Sequence, residues 1–265
     1  MLNLPLSKKY VLQKRSAFVD IPKDHPRYES LVTRERLAEF VRKGLVTPTG
    51  LISHGRGEAF DYMMGETSTD AALVAETVAA AYMLNAERPV VCVNGNAAAL
   101  DAEKLIELAV ATDSKIEVNI FHRTEKRMKL LTEYMRSCGA KNVLGMNPDA
   151  RIQGLSSDRA LCTKDGIYSS DVILVPIEDG DRAEALVKMG KVVIAIDLNP
   201  LSRTSRTATV SINDEMSRAL GNVIEFVKEL KNDENRRNKI ISQFSNADNR
   251  KAAVEQICET LRSSV

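Results

Sequence analysis

Four polar segments of the sequence combine residue types that could hold phosphate groups. The first is SHGRGE at residues 53–58. Its two glycines let the backbone approach a ligand closely, and their N–H groups together with Arg56 could bind phosphate oxygens. It is not a dinucleotide-binding fingerprint, because a GxGxxG spacing that starts at Gly55 would need glycine where Phe60 stands. A tight turn with a solvated arginine explains the same residues, since glycine is the usual residue of tight turns.

The second segment is NGN at residues 94–96, which follows a short apolar run and precedes a predicted helix. The side-chain amides of Asn94 and Asn96 could bind a polar ligand, and the N-terminus of the helix favours an anion. The same amides could instead cap the helix by accepting hydrogen bonds from its first N–H groups. The sequence leaves both interpretations open.

The third segment is EDGDR at residues 178–182, again between a predicted strand and a predicted helix. The carboxylates of Glu178, Asp179 and Asp181 repel one another, and a metal ion or a cationic group would remove that cost. Mg²⁺ bound to ATP phosphates fits this need. The segment also fits an ordinary helix start, where acidic residues complement the dipole, and by itself it favours that interpretation.

The fourth segment runs from residue 197 to residue 206, with the sequence DLNPLSRTSR. Asp197 closes an apolar strand, as does the acidic residue that binds ribose hydroxyls in nucleotide-binding folds. Arg203 and Arg206, with hydroxyl groups between them, suit phosphate oxygens. A surface loop with solvated arginines is the alternative. A charged residue at the end of a fully apolar strand favours a functional site here.

Several common catalytic and metal-binding signatures are missing from the sequence. Gly190 and Lys191 are followed by Val192, which rules out a Walker A loop, and no GxSxG occurs. The four cysteines form no CxxC pair and the three histidines no HxxxH spacing, so a structural zinc site is not expected. No cysteine has a histidine near it in a pattern that supports thiol catalysis.

The elements that must position these segments alternate between strand and helix. Short apolar runs predict strands, and the stretches between them have helical spacing. Because the strands are apolar throughout, the pattern indicates an α/β fold with a parallel sheet covered by helices on both faces. Strands are predicted at residues 90–93, 116–121, 143–146, 172–176, 192–198 and 208–212. Helices are predicted at residues 30–43, 70–87, 102–111, 124–137, 182–189 and 215–230. Residues 47–61 contain too many glycines and polar residues to predict one regular element.

Both ends of the chain are predicted to be additions to this core. Residues 1–20 have no clear periodicity and form an N-terminal extension, whereas two short helices are expected around Ile240 and at residues 250–262. The sequence therefore predicts a single domain over residues 21–265. The net charge of +1, from 37 basic and 36 acidic residues, gives no general field for nucleic-acid binding. Free thiols, with no secretory signal and no membrane-length apolar run, predict a cytoplasmic protein.

Taken together and in this order, the segments resemble the archaeal phosphopantothenate synthetases, which are 4-phosphopantoate–β-alanine ligases. Similarity covers most of residues 21–206 and weakens beyond Leu230. The matching text is IPKDHPRYESL from Ile21, GLISHGRGEAFDYMMGE from Gly50, VVCVNGNAAAL from Val90, IEVNIFHRTEKR from Ile116, LGMNP from Leu144, RIQGL from Arg151 and EDGDRAEALVKMGKVVIAIDLNPLSRTSR from Glu178.

The resemblance implies a Rossmann-like homodimer that uses ATP, with Mg²⁺, to join 4-phosphopantoate to β-alanine in coenzyme A biosynthesis. The products would be AMP, pyrophosphate and 4′-phosphopantothenate, formed through an acyl-adenylate. At Glu215 and Met216 this chain departs from the usual residues, so only backbone contact is expected there. Thr204 keeps the hydroxyl group of the serine that is frequent at its position. The implied ATP contacts are Arg34, Arg56, Asp197, Leu198, Asn199, Arg203, Thr204, Glu215 and Met216.

Further roles are hypotheses built on that reaction. Arg56, Asp181 and Arg182 are the candidate catalytic residues, with Arg56 expected to neutralise phosphate charge. Asn94, Asn96 and Asp179 are the candidate substrate-binding residues. No protein metal site is predicted.

Two other functions share the predicted fold class, because a fold does not fix a function. An NAD-dependent oxidoreductase is one, although the absent glycine fingerprint argues against it. A non-catalytic nucleotide sensor is the other, since it would bind ATP without consuming it.

Overall fold

The computed structural model describes residues 21–263, except for the side chains of residues 53–55. The predicted N-terminal extension at residues 1–20 therefore lies outside the described residues. The described segments contain eight strands, of which six form one sheet in the order β3–β2–β1–β6–β7–β8. The strands are β1 (Val90–Val93), β2 (Lys115–Val118), β3 (Val143–Leu144), β4 (Ala150–Arg151), β5 (Leu161–Cys162), β6 (Val172–Pro176), β7 (Val192–Ile196) and β8 (Val210–Ile212).

All neighbouring strands of the six-stranded sheet pair in parallel. From the centre, β1, β2 and β3 run outward in one direction, and β6, β7 and β8 run outward in the other. This is the doubly wound order of nucleotide-binding folds, which has its topological switch point between the two central strands, here β1 and β6. The predicted α/β, Rossmann-like fold class is confirmed.

Ten α-helices occur within residues 21–263. They are α1 (Tyr28–Arg42), α2 (Gly50–Met64), α3 (Asp70–Asn85), α4 (Gly95–Ala111), α5 (Glu125–Ser137), α6 (Gly180–Lys188), α7 (Arg203–Thr207), α8 (Met216–Leu230), α9 (Glu234–Gln243) and α10 (Asn246–Ser263). Within the part of the chain that the structure describes, no helix combines the length and apolar character needed to cross a bilayer.

Alternate residues of the strands are buried on opposite faces of the sheet. Leu174 of β6 belongs to a cluster formed with α3, α4, α5 and α8, whereas Ile173 and Val175 belong to a second cluster. The second cluster is completed by Leu186 of α6 and by Cys162 of the antiparallel β4–β5 ribbon, an element that the sequence did not predict. Burial of both faces explains why the strands are apolar throughout.

The largest error in the sequence-based prediction is α2, because residues 47–61 were expected to lack a regular element. Mid-helix glycine costs about 1 kcal/mol relative to alanine, so local preference argues against a helix there. Phe60 and Met64, only 6% and 8% exposed, bury one side of α2 against neighbouring elements and outweigh that preference. The helix ends at Gly65, whose φ of +82° suits glycine.

Helix α4 begins seven residues before its predicted start at residue 102. Asn94 caps it, and the helix then kinks at Asp101, which has φ −157° and ψ 73°. The sequence therefore predicted only the part of α4 that follows the kink. The kink has a consequence for the site, because it places Asp101 and Lys104 beside a cleft at the edge of the sheet.

Candidate active site

A cleft of about 970 Å³ lies at the carboxyl ends of β7 and β8. Residues 196–201 and 214–218 line its sheet side, α1 and α2 line the opposite side, and Val254, Ile257 and Cys258 of α10 contribute an apolar part. Ligand pockets are typically clefts of about 300–1,000 Å³, so this cleft could hold a nucleotide and part of a second substrate. Its position is the one at which open parallel sheets bind ligands.

The first and fourth polar segments meet at this cleft. Arg56 lines it with an exposed side chain. A Cβ atom at Gly57 would lie 3.8 Å from the Leu198 side chain, so α2 passes close to the turn after β7. The N–H groups of residues 55 and 57 lie inside α2, where the helix uses them itself, so the expectation that they bind phosphate is wrong. Arg56, in contrast, lines the cleft, so its contact with phosphate stays a prediction.

The turn after β7 is shaped by its own hydrogen bonds. The Asp197 carboxylate accepts from the backbone N–H of Asn199 at 3.1 Å and from the hydroxyl of Ser202. The Asn199 side-chain oxygen accepts from the N–H of Leu201 at 2.9 Å. Asp197, Leu198 and Asn199 all line the cleft. A carboxylate can accept more than two hydrogen bonds, so Asp197 keeps capacity for ribose hydroxyls.

Arg203 and Thr204 lie outside the lining of the cleft. They begin α7, an element that was not predicted, and α7 directs them towards α6. The Arg203 guanidinium contacts the carboxylates of Asp181 and Glu184, and the Thr204 hydroxyl donates to the Glu178 carbonyl at 3.0 Å. In this arrangement both side chains join the third segment to the fourth. Their contact with ATP stays a prediction that requires them to change partners.

The third segment is neutralised by arginines. Glu178 is buried between Arg159 and Arg182 and pairs with both. Burial alone would raise the pKa of Glu178, but the two guanidinium groups reverse this effect and hold the pKa below its ordinary value. Asp179 caps α6 by accepting from the N–H of Arg182 at 3.0 Å, and it lies 3.5 Å from Arg159. The sequence suggested that a metal ion or a cationic group would offset the repulsion between these carboxylates. The structure shows cationic groups, Arg159 and Arg182.

Arg182 is fully buried and reaches the thiol of Cys92 at 3.4 Å. A side chain with no exposed surface cannot touch a substrate in this conformation, so the structure contradicts a direct catalytic contact for Arg182. Its geometry is that of a positioning residue, which holds Glu178 in place. Asp181, by contrast, has a side chain that is 66% exposed, beside Arg203.

Asn94 and Asn96 are held by other parts of the protein. The Asn94 oxygen accepts from the N–H of Ala97 at 2.9 Å, and its nitrogen donates to the carbonyls of Pro176 at 2.8 Å and Ile177 at 3.1 Å. Asn96 donates to the carbonyl of Gly50 at 3.0 Å. Asn94 therefore bridges the ends of β1 and β6 at the switch point. The capping interpretation of this segment is confirmed, and a ligand contact stays a prediction.

Ile177 adopts φ +54°, a left-handed conformation that is rare for a β-branched residue. It lines the cleft and lies between β6 and the buried Glu178. Strained backbone of this kind persists when the surrounding structure over-determines it, and it occurs often at functional sites. The hydrogen bond from Asn94 to its carbonyl is one of the contacts that hold it.

Arg34 is not among the residues that line the cleft, but it pairs with Glu58 of α2, which is. Its guanidinium lies 2.6 Å from the Glu58 carboxylate, which also pairs with Arg27 at 2.9 Å and accepts from the hydroxyl of Ser30 at 2.6 Å. Arg27, Ser30 and Glu58 line the cleft. This cluster joins α1 to α2 and leaves the Arg34 side chain 47% exposed.

The floor of the cleft holds two acidic residues that were not predicted, Asp61 and Asp214, beside the predicted Glu215. Arg218 lies 2.8 Å from Asp61 and 2.6 Å from Asp214, and Glu215 caps α8 by accepting from the N–H of Arg218 at 3.0 Å. Met216, the first residue of α8, also lines the cleft. Asp214 could have been predicted, because it follows an apolar strand in the same way as the acidic residues at 178–181 and at 197. Asp61 gave no signal because α2 was not predicted.

Comparison with known proteins identifies the family. The model of the phosphopantothenate/pantothenate synthetase family matches residues 71–260. A relative from Methanosarcina mazei is 53% identical over 240 residues, covering 91% of this chain and 94% of its own length. Relatives from Methanospirillum hungatei and Thermococcus kodakarensis are 52% and 48% identical, covering 81% and 86% of this chain and 87% and 88% of their own lengths. All three are named 4-phosphopantoate--beta-alanine ligase. This chain belongs to the phosphopantothenate/pantothenate synthetase family.

Proposed function

We propose that this protein is a ligase that joins 4-phosphopantoate to β-alanine in coenzyme A biosynthesis, with conversion of ATP to AMP and pyrophosphate. The names of its relatives support the two substrates. The observation that carries the use of ATP is the cleft at the ends of β7 and β8. Arg56 and Asp197 both line it, and Asp197 follows an apolar parallel strand, as does the acidic residue that binds ribose in dinucleotide-binding folds.

The chemistry requires activation of a carboxylate. The carboxylate oxygen of 4-phosphopantoate attacks the α-phosphorus of ATP, pyrophosphate leaves, and an acyl-adenylate forms. The nitrogen of β-alanine then attacks the carbonyl carbon and AMP leaves. The protein assists chiefly by aligning the reactants and by neutralising phosphate charge.

In this proposal, residues from both walls of the cleft bind ATP. Arg56 binds phosphate oxygens, with Arg34 entering from the cleft edge. Asp197, Leu198 and Asn199 contact the nucleoside. Glu215 and Met216 contribute backbone at the N-terminus of α8, which favours an anion. Arg203 and Thr204 would join if they released their present partners.

The part of the site that binds 4-phosphopantoate and β-alanine is proposed to lie at the turn between β6 and α6. Asp179 and Asp181 are its acids, with side chains 33% and 66% exposed. Asn94 fixes the neighbouring backbone of Pro176 and Ile177, and Asn96 holds Gly50 at the start of α2. Arg182 contributes by holding Glu178, and Arg159 extends the network towards Asp179.

Mg²⁺ is proposed to enter with ATP. Among the side chains that the structure describes, which exclude His54, no three His, Cys, Asp or Glu residues converge on a point where they could hold a metal ion. Mg²⁺ in nucleotide-using enzymes commonly needs only one or two carboxylates beside the substrate phosphates. The homodimer implied by the family resemblance is likewise part of the proposal.

Pyrophosphate release tests the function most directly. Purified protein with ATP and Mg²⁺ should release pyrophosphate when 4-phosphopantoate is added, and should turn over repeatedly only when β-alanine is present as well. A nucleotide sensor would bind ATP without consuming it, and an oxidoreductase would release no pyrophosphate. Either of those results would reject the proposed ligase.

A further inference from the structure

Phe121 is a half-exposed aromatic residue at the carboxyl edge of the sheet, three residues beyond the end of β2. The N–H of Asn119 donates to the carbonyl of Val93 at 2.9 Å, so the chain after β2 stays paired with the end of β1. The turn that carries Phe121 therefore lies beside the Asn94 segment, at the edge where open parallel sheets bind ligands. A single exposed apolar side chain is ordinary by itself, so its surroundings decide whether it has a role.

The backbone of this turn is held by Arg127, in the first turn of α5. Its Nη1 donates to the carbonyl of Phe121 at 2.6 Å and to that of His122 at 3.0 Å. His122 has φ +49°, a left-handed conformation that few residues other than glycine adopt. Such backbone persists where the surrounding structure over-determines it, and it clusters at functional sites. The Phe121 ring is therefore presented on a turn that is already ordered before a ligand arrives.

The Phe121 ring covers the guanidinium group of Arg159. The Arg159 Cζ atom lies 5.0 Å from the ring centroid, and the Arg159 side chain is only 6% exposed. Arg159 pairs with Glu178, and its Nη1 lies 3.5 Å from the Asp179 carboxylate, in the segment between β6 and α6. Asn119 holds the backbone of Arg159 by donating to its carbonyl at 3.2 Å. One guanidinium group thus joins the ring to the segment that is proposed to bind 4-phosphopantoate.

A second series of contacts joins the same turn to the nucleotide cleft. A Cβ atom at Gly95 would lie 3.6 Å from Arg127 Nη2, so the guanidinium group that holds Phe121 also lies close to the start of α4. The preceding residue, Asn94, donates to the carbonyl of Ile177 at 3.1 Å, and Ile177 lines the cleft. The switch point between β1 and β6 therefore lies between the ring and the cleft. A substrate that reaches from the cleft across residues 177–179 extends towards the ring.

The exposed part of the ring offers a ligand apolar contact, whereas the ion pairs of Arg159 suit polar groups. The substrate 4-phosphopantoate has this mixed character, with a carboxylate at one end, a phosphate at the other and two methyl groups on a carbon between them. Its carboxylate must reach the α-phosphorus of ATP in the cleft, and the methyl-bearing carbon is two bonds from the carboxylate carbon. β-Alanine is unbranched and ATP has no methyl group. The two methyl groups are therefore the aliphatic branch by which the acid substrate can be recognised.

We propose that Phe121 packs against the two methyl groups of 4-phosphopantoate and so selects this substrate over unbranched 2-hydroxy acids that carry a terminal phosphate. This role rests on the proposed ligase function. Phe121 takes no part in making or breaking bonds, and its contribution is binding. Arg127 and Arg159 are positioning residues, because they hold the turn and the ring in place.

The test compares two substrates in wild type and in variants of Phe121. The second substrate is 2-hydroxy-4-phosphooxybutanoate, which is 4-phosphopantoate without its two methyl groups, and pyrophosphate release gives kcat/KM for each. Wild type should prefer 4-phosphopantoate by about tenfold or more, the size expected when an apolar contact loses a methylene-sized group. Phe121→Ala should reduce that preference to about twofold or less, through a higher KM for 4-phosphopantoate, and should leave the KM for ATP unchanged. Because both substrates are measured on one protein, a loss of folded enzyme cancels from the ratio.

Two further variants serve as controls. Phe121→Leu keeps an apolar side chain on the same turn, so it should retain most of the wild-type preference. Tyr168→Ala removes another partly exposed aromatic side chain, but Tyr168 precedes β6 and so lies at the opposite edge of the sheet. Tyr168→Ala should keep the wild-type preference and the wild-type KM for each substrate.

Three results would overturn the specificity role: an active wild type that does not prefer 4-phosphopantoate to the analogue, an unchanged preference in Phe121→Ala, or an equal loss of preference in Phe121→Leu. Should Phe121→Ala fail to fold, Phe121→Gln replaces the ring by a polar side chain and should lose the preference, and a retained preference would overturn the role. If the wild type releases no pyrophosphate with 4-phosphopantoate, the proposed function fails first, and this role fails with it.

Discussion

At the scale of single residues, Arg56 and Arg182 show how differently two arginines of the same sequence are used. Both were candidates for catalysis. Arg56 has an exposed side chain in the cleft, whereas Arg182 is fully buried beside Glu178. An arginine that binds the phosphates of a ligand must be accessible from the cleft, whereas an arginine that pairs with a buried carboxylate is itself buried. The two side chains therefore make opposite predictions on replacement.

Replacing Arg56 by alanine should weaken the use of ATP and leave stability nearly unchanged. Hydrogen bonds to charged groups contribute about 1.5–3 kcal/mol, which corresponds to a rise of roughly tenfold to a hundredfold in the KM for ATP. Steady-state pyrophosphate release at varied ATP measures it. Arg136→Ala removes an exposed arginine of α5 and serves as the matched control. A KM for ATP equal to that of wild type would show that Arg56 does not bind the phosphates.

Replacing Arg182 by methionine should instead destabilise the fold. The change leaves Glu178 buried with one cation fewer, and breaking a buried ion pair costs about 3–5 kcal/mol. Urea unfolding measures the free energy of unfolding. Arg203→Ala is the control, because the Arg203 side chain is 56% exposed and exposed ion pairs contribute about 0–1 kcal/mol. Equal losses in the two variants would contradict the distinction between buried and exposed pairs.

At the scale of elements, all six strands of the large sheet were predicted, whereas the β4–β5 ribbon, α2 and α7 were not. The strand at residues 172–176 was predicted with its observed ends, because a short apolar run rich in β-branched residues is typical of a buried strand. Helix α2 was missed because its burial comes from distant elements that no local pattern reveals. The predicted strand 192–198 ended two residues too late, since Asp197 and Leu198 belong to the turn that forms the cleft.

Replacing Gly57 by alanine distinguishes the helix from the expected loop. A Cβ atom there would meet only the Leu198 side chain, at 3.8 Å, which is ordinary contact. Alanine is favoured over glycine inside a helix by about 0.5–1 kcal/mol, so the variant should gain free energy of unfolding by that amount. Urea unfolding again measures it.

Gly50 provides the matched comparison, since it stands at the start of the same helix. Its Cβ would approach the Asn96 side-chain oxygen to 2.3 Å and the Val46 side chain to 2.6 Å. Gly50→Ala should therefore lose stability where Gly57→Ala gains it. A loss in both variants would indicate that residue 57 does not lie in regular helix.

At the scale of the whole molecule, the sheet order places every strand-end segment at one edge, and this much could be predicted from the sequence. The segments do not form one continuous site, however. The first and fourth line the cleft, whereas the third is tied to Arg159, whose position in a single 3-10 turn before β5 gave no periodic signal. The acidic floor brings Asp61 of α2 beside Asp214 and Glu215, which lie between β8 and α8, and contacts between such distant residues follow only from the assembled fold.

The buried Glu76 gives the whole molecule a testable dependence of stability on pH. Its pKa is about 8 in the folded protein and 4.5 ordinarily, so between these values the folded state holds a proton that the unfolded state has lost. The free energy of unfolding contributed by Glu76 is therefore fully present below about pH 4.5 and declines as pH rises, by at most about 1.4 kcal/mol per pH unit, until it levels above about pH 8. Glutamine resembles the protonated acid and does not titrate.

Glu76→Gln should therefore match wild type in urea unfolding near pH 5 and exceed it near pH 9, by on the order of a few kcal/mol. Titrating groups distant from Glu76 act on both proteins alike, so the difference between the two curves reports Glu76 together with its neighbour Asp214. Glu225→Gln, which removes an exposed carboxylate, should follow the wild-type curve at every pH. Parallel curves for wild type and Glu76→Gln would mean that Glu76 is ionised in the folded protein at neutral pH, because only a proton held by the folded state makes the curves diverge.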